Sequence, residues 1–325
     1  MVRIAVLDDY QGTARELADW DSIPGAEVTF FSEHVSDPDA LAEMLAPFDV
    51  VQMMRERTQL QAPVLERLPN LKLLSGTGGR HPHVDMDAAT RLGIVVTGTT
   101  GGSESTPELV WGLIIGVTRN LYREDREMRA GRWQTRVGPG LAGRTLGILG
   151  MGRIGTRTAT TAQAFGMKVI AWGPTLTAER AAASSATYVS FDELFAGSDV
   201  LTIHVPLTDL SRGWVGAREL GLMKPTAYLI NTSRGPIVQE SALVEALQKG
   251  TIAGAALDVY DEEPMPAGHP LLALDNVMLS PHLGYASLDG LANFYTQAVE
   301  NIKAWVAGEP TRVVNEDALP NARRL

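Results

Sequence analysis

The chain has 325 residues, a length typical of about two domains. Hydrophobic residues make up 45% and charged residues 20%, an ordinary globular balance that excludes disorder as the main account. Lys and Arg number 28 against 38 Asp and Glu, so the net charge of −10 argues against sequence-independent binding of nucleic acid. There is no cysteine, which excludes disulfides, thiolate nucleophiles and Cys-ligated metals.

The first ten residues, MVRIAVLDDY, contain a short apolar run that Asp8 and Asp9 interrupt. A secretory signal needs about 7–15 apolar residues, so this run is predicted to be a strand. No other run approaches the ~18 apolar residues of a membrane span. We therefore expect a cytoplasmic protein that has neither a membrane nor a nucleic acid as partner.

The first hundred residues alternate short apolar runs, typical of strands buried on both faces, with helical patterns. The predicted strands are Ile4–Leu7, Glu27–Phe31, Val50–Met54, Leu71–Ser75 and Ile94–Thr97. Helical patterns cover Gly12–Ala18 and Pro38–Ala46, and the second opens with an Asp-Pro start signal. This alternation predicts a parallel sheet with right-handed crossovers.

The stretch GTTGGSESTPE that follows is predicted to be a linker that ends in a helix start. Thr106 is a candidate cap, Pro107 fits the first turn, and Ser105 and Glu108 have capping-box spacing. One long helix is then predicted, with an apolar face formed by Leu109, Leu113, Val117 and Leu121. Basic and acidic residues alternate over 119–132, which indicates a solvated helix face.

A second alternating series begins after residue 133. Its predicted strands are Thr145–Leu149, Lys168–Trp172, Val200–Val205, Ala227–Asn231, Gly254–Leu257 and Val277–Ser280. A closing helix carries one apolar stripe, formed by Leu291, Phe294, Tyr295, Ala298, Ile302 and Trp305. The whole pattern predicts an α/β protein with two doubly wound parallel-sheet units, which bind ligands beyond the carboxyl ends of their strands.

The strongest local motif is Gly150-x-Gly152-x-x-Gly155, placed between an apolar strand and a helical pattern that runs to Ala164. Gly150 permits the tight turn, Gly152 lets a pyrophosphate approach the backbone, and Gly155 lets helix and strand pack closely. The helix N-terminus, which begins with Arg153 and Ile154, offers free N–H groups to the phosphates. The context predicts a dinucleotide site.

The glycine motif does not distinguish NAD from NADP, and the acidic residue that holds the ribose of NAD is absent. Gly173 stands at its position, with Thr175, Thr177 and Arg180 just beyond. We expect NAD and leave NADP open.

Three further segments sharpen this reading: NTSRGP at 231–236, LDVYDEEP at 257–264 and SPHLG at 280–284. Together with the glycine motif, they resemble the D-isomer-specific 2-hydroxyacid dehydrogenases. That family includes D-3-phosphoglycerate dehydrogenases and glyoxylate/hydroxypyruvate reductases. The resemblance extends over essentially the whole chain, from the first βα unit to the closing helix. It is specific, because all four motifs occur in the order and spacing of the family. It implies a Rossmann-type cofactor domain at 102–285, inserted into a flavodoxin-like substrate domain at 1–101 and 286–325.

The resemblance also implies roles for single residues. Arg234 would orient the substrate, Glu263 would be the partner carboxylate because it directly precedes Pro, and His282 would be the general acid/base. The residues implied to contact the cofactor, in addition to those of the glycine motif, are Gly173, His204, Pro206, Thr232, Ser233, Asp258 and Gly284.

The residues implied for the substrate are Arg234 and, in the first domain, Arg55, Gly78, Gly79 and Arg80. Glu56 replaces the Ser that follows this Arg in the family. The segment 76–85 is two residues longer than the family pattern Gly-x-Gly-x-Asp-Asn-x-Asp. This departure leaves the identity of the substrate open. His81 and His83 in this segment lack the companions that a metal site needs, and no metal is expected.

The chemistry of keto-acid reduction supports the three catalytic roles independently. An Arg binds a carboxylate with two parallel hydrogen bonds, and a His donates and recovers a proton near pH 7. A nearby carboxylate stabilises the imidazolium and sets its orientation. The sequence therefore predicts an NAD(P)-dependent oxidoreductase that interconverts a D-2-hydroxy acid and its 2-keto acid.

Two alternatives stay open at this stage. The family includes dinucleotide-sensing co-repressors with little turnover, and a methyltransferase could use a similar nucleotide fold. The methyltransferase would have no need of Arg234, Glu263 and His282.

The resemblance further implies a homodimer, with helices near 105–130 paired across a two-fold axis. It also implies hinges near 98–102 and 285.

Overall fold

The computed structural model describes residues 1–101 and 105–323. The chain divides into two compact units. One comprises Met1–Gly102 and Ser287–Leu325, and the other comprises Ser103–Ala286. The segment 102–104 of the predicted linker lies outside the described residues.

The strands of the described residues all pair in parallel. Those of the first unit are β1 (Val2–Val6), β2 (Ala26–Phe30), β3 (Val50–Met53), β4 (Leu73–Gly76) and β5 (Val95–Thr97). Those of the second unit are β6 (Thr145–Leu149), β7 (Lys168–Trp172), β8 (Thr187–Tyr188), β9 (Val200–Ile203), β10 (Tyr228–Asn231), β11 (Gly254–Leu257) and β12 (Val277–Leu279).

Helices lie between most of these strands along the chain. They are α1 (Ala14–Leu17), α2 (Pro38–Leu45), α3 (Ala62–Leu65), α4 (Met86–Arg91), α5 (Thr106–Thr118), α6 (Leu121–Arg129), α7 (Arg153–Ala164), α8 (Ala178–Ala182), α9 (Phe191–Gly197), α10 (Ala217–Leu222), α11 (Glu240–Lys249) and α12 (Leu288–Val306). None of these helices combines the length and apolar content needed to cross a bilayer.

The strand orders identify both folds. The first sheet runs β2-β1-β3-β4-β5, which is the flavodoxin-like order. The second runs β12-β11-β10-β9-β6-β7-β8, which is a Rossmann order extended by one strand. The predicted fold class is therefore confirmed. The sequence missed β8, because its two residues are exposed at the sheet edge and form no apolar run.

Helices α2 and α12 follow their predictions. Asp37 caps α2 by accepting from the backbone N–H of Ala40 at 2.8 Å. The predicted apolar stripe of α12 is buried along its whole length. Within the first unit, Tyr295 of this helix packs edge-on against Trp20, with ring centroids 6.0 Å apart.

The predicted long helix after the linker is wrong in two respects. It ends at Thr118, because Asn120 adopts a left-handed backbone with φ 55°. Leu121 opens the separate helix α6 and is 52% exposed, so it does not join the buried face. The predicted capping is also wrong, because the hydroxyls of Ser105 and Thr106 both donate to the carbonyl of Gly284. As predicted, α6 has no buried residue and pairs its charges at the surface.

Candidate active site

The three predicted catalytic residues follow three neighbouring strands of the second unit. Arg234 comes after β10, Glu263 after β11 and His282 after β12. These strands lie side by side in the order β12-β11-β10. Because the carboxyl ends of parallel strands share one edge of a sheet, their loops meet where such folds bind ligands.

Glu263 and His282 are in direct contact. The Nδ1 atom of His282 lies 2.5 Å from Oε2 of Glu263. The other oxygen, Oε1, accepts the backbone N–H of Tyr260 at 2.9 Å, which fixes the carboxylate. The bond to Glu263 uses Nδ1, so Nε2 is the ring nitrogen left to face a reacting oxygen.

A buried carboxylate, that of Asp258, holds the loop that carries His282. Its Oδ1 accepts the Ser280 hydroxyl at 2.5 Å and the Leu283 N–H at 2.7 Å, and its Oδ2 accepts the Gly284 N–H at 2.9 Å. Burial raises the pKa of Asp258, and the Ser280 hydrogen bond opposes this rise. His282 itself has a left-handed backbone, φ 55°, a conformation that costs about 1–3 kcal/mol unless its surroundings hold it. Asp258 therefore binds the Ser280 side chain before His282 and two peptide N–H groups after it, contacts that sequence reasoning did not predict.

The segment around Arg234 is held by its own backbone. Asn231 donates from Nδ2 to the carbonyl of Arg234 at 3.0 Å, and Arg234 donates from Nη1 to the carbonyl of Ser233 at 2.7 Å. A Cβ on Gly235 would lie 2.1 Å from the carbonyl carbon of Tyr260. Only glycine permits this approach, which brings the segment of Arg234 against the segment that leads to Glu263.

The glycine motif has the geometry that a pyrophosphate requires. Gly150 adopts φ 102°, and a Cβ on Gly155 would lie 2.2 Å from the carbonyl oxygen of Gly150. At the N-cap of α7, a Cβ on Gly152 would meet nothing within 4 Å, so this backbone is open to a ligand. Arg153 and Ile154 form the first turn of α7, and the first turn of a helix is where backbone N–H groups can bind a phosphate. These residues fit a dinucleotide.

Four of the other predicted cofactor residues, His204, Pro206, Thr232 and Ser233, lie after the ends of β9 and β10. His204 contacts the Thr202 hydroxyl through Nε2 at 3.0 Å, and burial lowers the pKa of His204 to about 3, so it is neutral at pH 7. Ser233 donates to the carbonyl of Val205, beside the exposed Pro206. Thr232 has a buried hydroxyl with no hydrogen-bond partner among the described residues.

Gly173 is buried directly after β7. A Cβ there would contact Leu176 at an ordinary 3.5 Å, so a Cβ at this position is sterically acceptable. Arg180 donates to the carbonyl of Thr175 at 2.7 Å, which ties its guanidinium to the local turn.

The predicted substrate residues of the first unit follow β3 and β4. Arg55 adopts φ 53°, and its backbone N–H donates to the Thr77 hydroxyl at 2.7 Å. Its guanidinium lies 3.7 Å from the carboxylate of Glu56. Gly78 is buried, and Gly79 and Arg80 form the exposed tip of the next loop. No group of three or more His, Asp or Glu residues within 1–101 and 105–323 is arranged to hold a metal ion.

Comparison with known proteins agrees with this geometry. The family profile "D-isomer specific 2-hydroxyacid dehydrogenase, NAD binding domain" matches residues 111–284, more than half of the chain. A glyoxylate reductase of Aeropyrum pernix is 40% identical over 272 residues, which cover 80% of this chain and 81% of the relative.

Solved structures give the same result. A phosphoglycerate oxidoreductase of Vibrio cholerae superposes with a TM-score of 0.91 at 38% identity, covering 95% of this chain and 100% of that one. D-lactate dehydrogenase of Escherichia coli superposes with a TM-score of 0.83 at 25% identity, covering 96% and 100%.

The chain belongs to the D-isomer-specific 2-hydroxyacid dehydrogenase family. It is an NAD-dependent oxidoreductase that transfers a hydride between the nicotinamide cofactor and a D-2-hydroxy acid/2-keto acid pair. The relatives support this enzymatic function and not the co-repressor alternative.

The open space at Gly152 generates the first prediction. Gly152→Val should weaken NADH binding by at least tenfold, or about 1.4 kcal/mol, because the side chain occupies the path of the pyrophosphate. The fold should persist, since the added Cβ meets no protein atom. Fluorescence titration with NADH and a thermal melt measure the two effects. Parent-like NADH affinity in a folded variant would show that the phosphates bind elsewhere.

Proposed function

We propose that Arg234, Glu263 and His282 form the catalytic set, with Arg234 also binding the substrate. The observation that carries this proposal is the 2.5 Å contact of His282 with Glu263, one strand away from the loop of Arg234. Within it, Arg234 supplies a fixed cation for a carboxylate, His282 supplies an exchangeable proton, and Glu263 supplies the charge that stabilises the imidazolium.

Bound NADH supplies the hydride that reaches the carbonyl carbon of the substrate. Arg234 binds the substrate carboxylate with two N–H donors and polarises the adjacent carbonyl. His282 donates the proton on Nε2 to the oxygen that develops negative charge. Glu263 keeps Nδ1 protonated and the ring oriented, so that the same imidazole recovers the proton when a hydroxy acid is oxidised.

We propose that residues 102–285 are the cofactor domain and that 1–101 and 286–325 are the substrate domain. The match of the NAD-binding profile to 111–284 supports the first assignment. Arg55, Gly78, Gly79 and Arg80 would bind substrate, because they follow the carboxyl ends of β3 and β4. The hinges expected near 98–102 and 285 stay predictions. Residue 102 lies outside the described residues.

We propose that the cofactor is contacted by residues near the ends of β6, β9 and β10 and by Gly173. Those near the three strand ends are Gly150, Gly152, Arg153, Ile154, Gly155, His204, Pro206, Thr232 and Ser233. Asp258 and Gly284 complete this set. Asp258 acts there mainly by fixing the loop of His282, as its three hydrogen bonds support.

The substrate we propose is a short 2-keto acid of the glyoxylate or hydroxypyruvate type. Several relatives at 34–40% identity are named glyoxylate reductase, which supports a small substrate. Initial rates with NADH and a panel of glyoxylate, hydroxypyruvate, pyruvate and phosphohydroxypyruvate test this proposal. A strong preference for the phosphorylated acid would contradict it. We place the enzyme in the cytoplasm, where a pool of nicotinamide cofactor is present.

The catalytic set generates the second prediction. Arg234→Ala should collapse kcat/KM, because it removes the carboxylate partner. His282→Ala should reduce the rate by about 10²–10⁴-fold, which is the usual value of a positioned proton donor. Glu263→Gln keeps the shape but removes the charge that favours the imidazolium.

The pH profile separates Glu263 from a merely structural residue. Keto-acid reduction needs His282 protonated, so the alkaline limb of kcat/KM should move to lower pH in Glu263→Gln. Oxidation of the hydroxy acid needs neutral His282 and should suffer less near pH 7. A pH profile identical to that of the parent would break the assignment of the Glu263–His282 pair, even if His282→Ala were inactive.

Coenzyme choice gives the third prediction. Gly173→Asp should raise the NADH:NADPH ratio of kcat/KM by at least tenfold, because a carboxylate there accepts the ribose hydroxyl and repels a 2′-phosphate. Gly173→Asn is the matched neutral control and should change the ratio much less. Equal ratios in the two variants would show that residue 173 does not face the ribose.

We also propose a homodimer, which gives the fourth prediction. Between residues 121 and 137 the large apolar side chains are exposed: Leu121 52%, Met128 57%, Trp133 74% and Val137 99%. Exposed apolar side chains so close in sequence support a partner surface on this segment. Light scattering should give twice the 35.0 kDa chain mass. Trp133→Ser with Val137→Ser should shift the protein toward monomer, whereas Leu210→Ser, at a side chain 82% exposed in another loop, should not. A monomeric parent would exclude the dimer.

A further inference from the structure

Two buried histidines lie in the segment 76–85, where the chain departs from the family pattern. His81 is 5% and His83 is 2% exposed. Their rings meet edge to face, with centroids 5.7 Å apart. No nitrogen of either ring has a hydrogen-bond partner among the described residues. The two rings therefore serve as packing groups, and each would become charged if it took up a proton.

The His81 ring is wedged between the ends of two strands. A Cβ on Gly76, the last residue of β4, would lie 2.2 Å from its Cε1 atom. A Cβ on Gly98, directly after β5, would lie 3.4 Å from its Nε2 atom. Any other residue at position 76 would collide with the ring, so the loop is seated on the sheet by this contact.

The backbone of the loop is tied down at both ends. Gly78 and Thr99 form a reciprocal pair, in which the Gly78 N–H donates to the Thr99 hydroxyl at 2.8 Å and the Thr99 N–H donates to the Gly78 carbonyl at 3.0 Å. The carbonyl of His83 accepts the Leu60 N–H and the Gln61 side chain, both at 2.9 Å. Between these anchors, the exposed tip of Gly79 and Arg80 depends on the packed rings below it.

The charged groups that face the rings do not offset the effect of burial: Glu56 favours a charged ring at both positions and Asp8 favours it at His83, whereas Arg55 opposes it. Arg55 and Glu56, from the loop after β3, form an ion pair with each other at 3.7 Å. Asp8, after β1, already accepts the Thr58 hydroxyl at 2.7 Å and contacts His34 Nδ1 at 3.0 Å. Burial lowers the pKa of His81 and of His83 to about 4, so both rings are neutral at pH 7.

We propose that His81 and His83 form an acid-sensitive latch, which holds the loop 76–85 closed while both rings are neutral and releases it when they take up protons. A charged ring cannot stay in this site without a large desolvation cost, and two charged rings at 5.7 Å would repel each other. Through Gly78, Gly79 and Arg80, the latch would couple substrate binding to pH. Only that last consequence rests on the proposed function.

The size of the effect follows from proton linkage. An exposed His in the open loop has a pKa near 6.5, and the closed ring has one of about 4, so the open form binds more protons between these values. Lowering the pH from about 7.5 to about 5.5 should then raise the opening constant about tenfold for each ring, or about 100-fold for both. Carboxylates stay ionised across this window.

Amide hydrogen exchange of the full-length protein tests the latch without any substrate. After correction for intrinsic exchange, peptides that cover 76–85 should exchange about 100-fold faster at pH 5.5 than at 7.5, relative to peptides from β1. In the double variant His81→Phe with His83→Phe, whose rings cannot be protonated, the change should be less than about threefold. His269→Phe is the control, because His269 is half-buried beside Glu240 in the other unit and should behave like the parent.

Each outcome is decisive. A parent loop no more pH-sensitive than β1, or a double variant as sensitive as the parent, overturns the latch. If the double variant does not fold, His83→Phe alone should retain about one tenfold step, and a full 100-fold response would contradict the proposal. Absence of turnover with every keto acid would overturn the proposed function but leave this result standing.

Discussion

The carboxylate of Asp258 is the constraint on which the site of the second unit depends. His282 sits in a left-handed backbone conformation that an ordinary loop would relax. The two N–H groups that follow it and the Ser280 hydroxyl before it all bind one buried carboxyl group. Removing that group would leave the N–H groups of Leu283 and Gly284 without their acceptor and free the backbone of His282. The orientation of the His282 ring toward Glu263 therefore depends on a residue that does not touch it.

The three proposed catalytic residues can work as one set because the backbone that carries each of them is held in place. Arg234, Glu263 and His282 are 29 and 19 residues apart in sequence, yet each follows one of three adjacent strands. Adjacent strands fix the spacing of their ends, and the close approach of Gly235 to Tyr260 fixes the spacing of the loops beyond. The distances between these three side chains are therefore set by the parallel pairing of their strands and by the absence of a Cβ at Gly235.

Much of this arrangement could be predicted from the sequence, because it is carried by local patterns. The strands β6, β7 and β11 have the predicted bounds, since each is an apolar run bordered by polar or glycine residues. The pairing of Glu263 with His282 was predicted from motif resemblance. The capping and the end of the helix after residue 105 were not predicted, because the hydroxyls of Ser105 and Thr106 bond to Gly284, nearly 180 residues away, and the helix end depends on the backbone of Asn120. Contacts between residues so far apart in sequence cannot be read from a local pattern. The binding of the His282 loop by Asp258 cannot be read from one either.

The six histidines show how environment, and not residue type, divides chemistry from structure in this chain. Three of them, His81, His83 and His204, are held neutral by burial, as the lowered pKa of each indicates. The other three each contact a carboxylate: His34 with Asp8, His269 with Glu240 and His282 with Glu263. A carboxylate partner alone does not make a catalytic histidine, since three residues share it. His269 lies in the loop between β11 and β12 and contacts Glu240 of α11, whereas His282 follows β12 and contacts Glu263. The close approach of Gly235 to Tyr260 also brings the segment of Arg234 against the segment that leads to Glu263. What lies beside the partner carboxylate, and not the carboxylate contact alone, therefore separates His282 from His34 and His269.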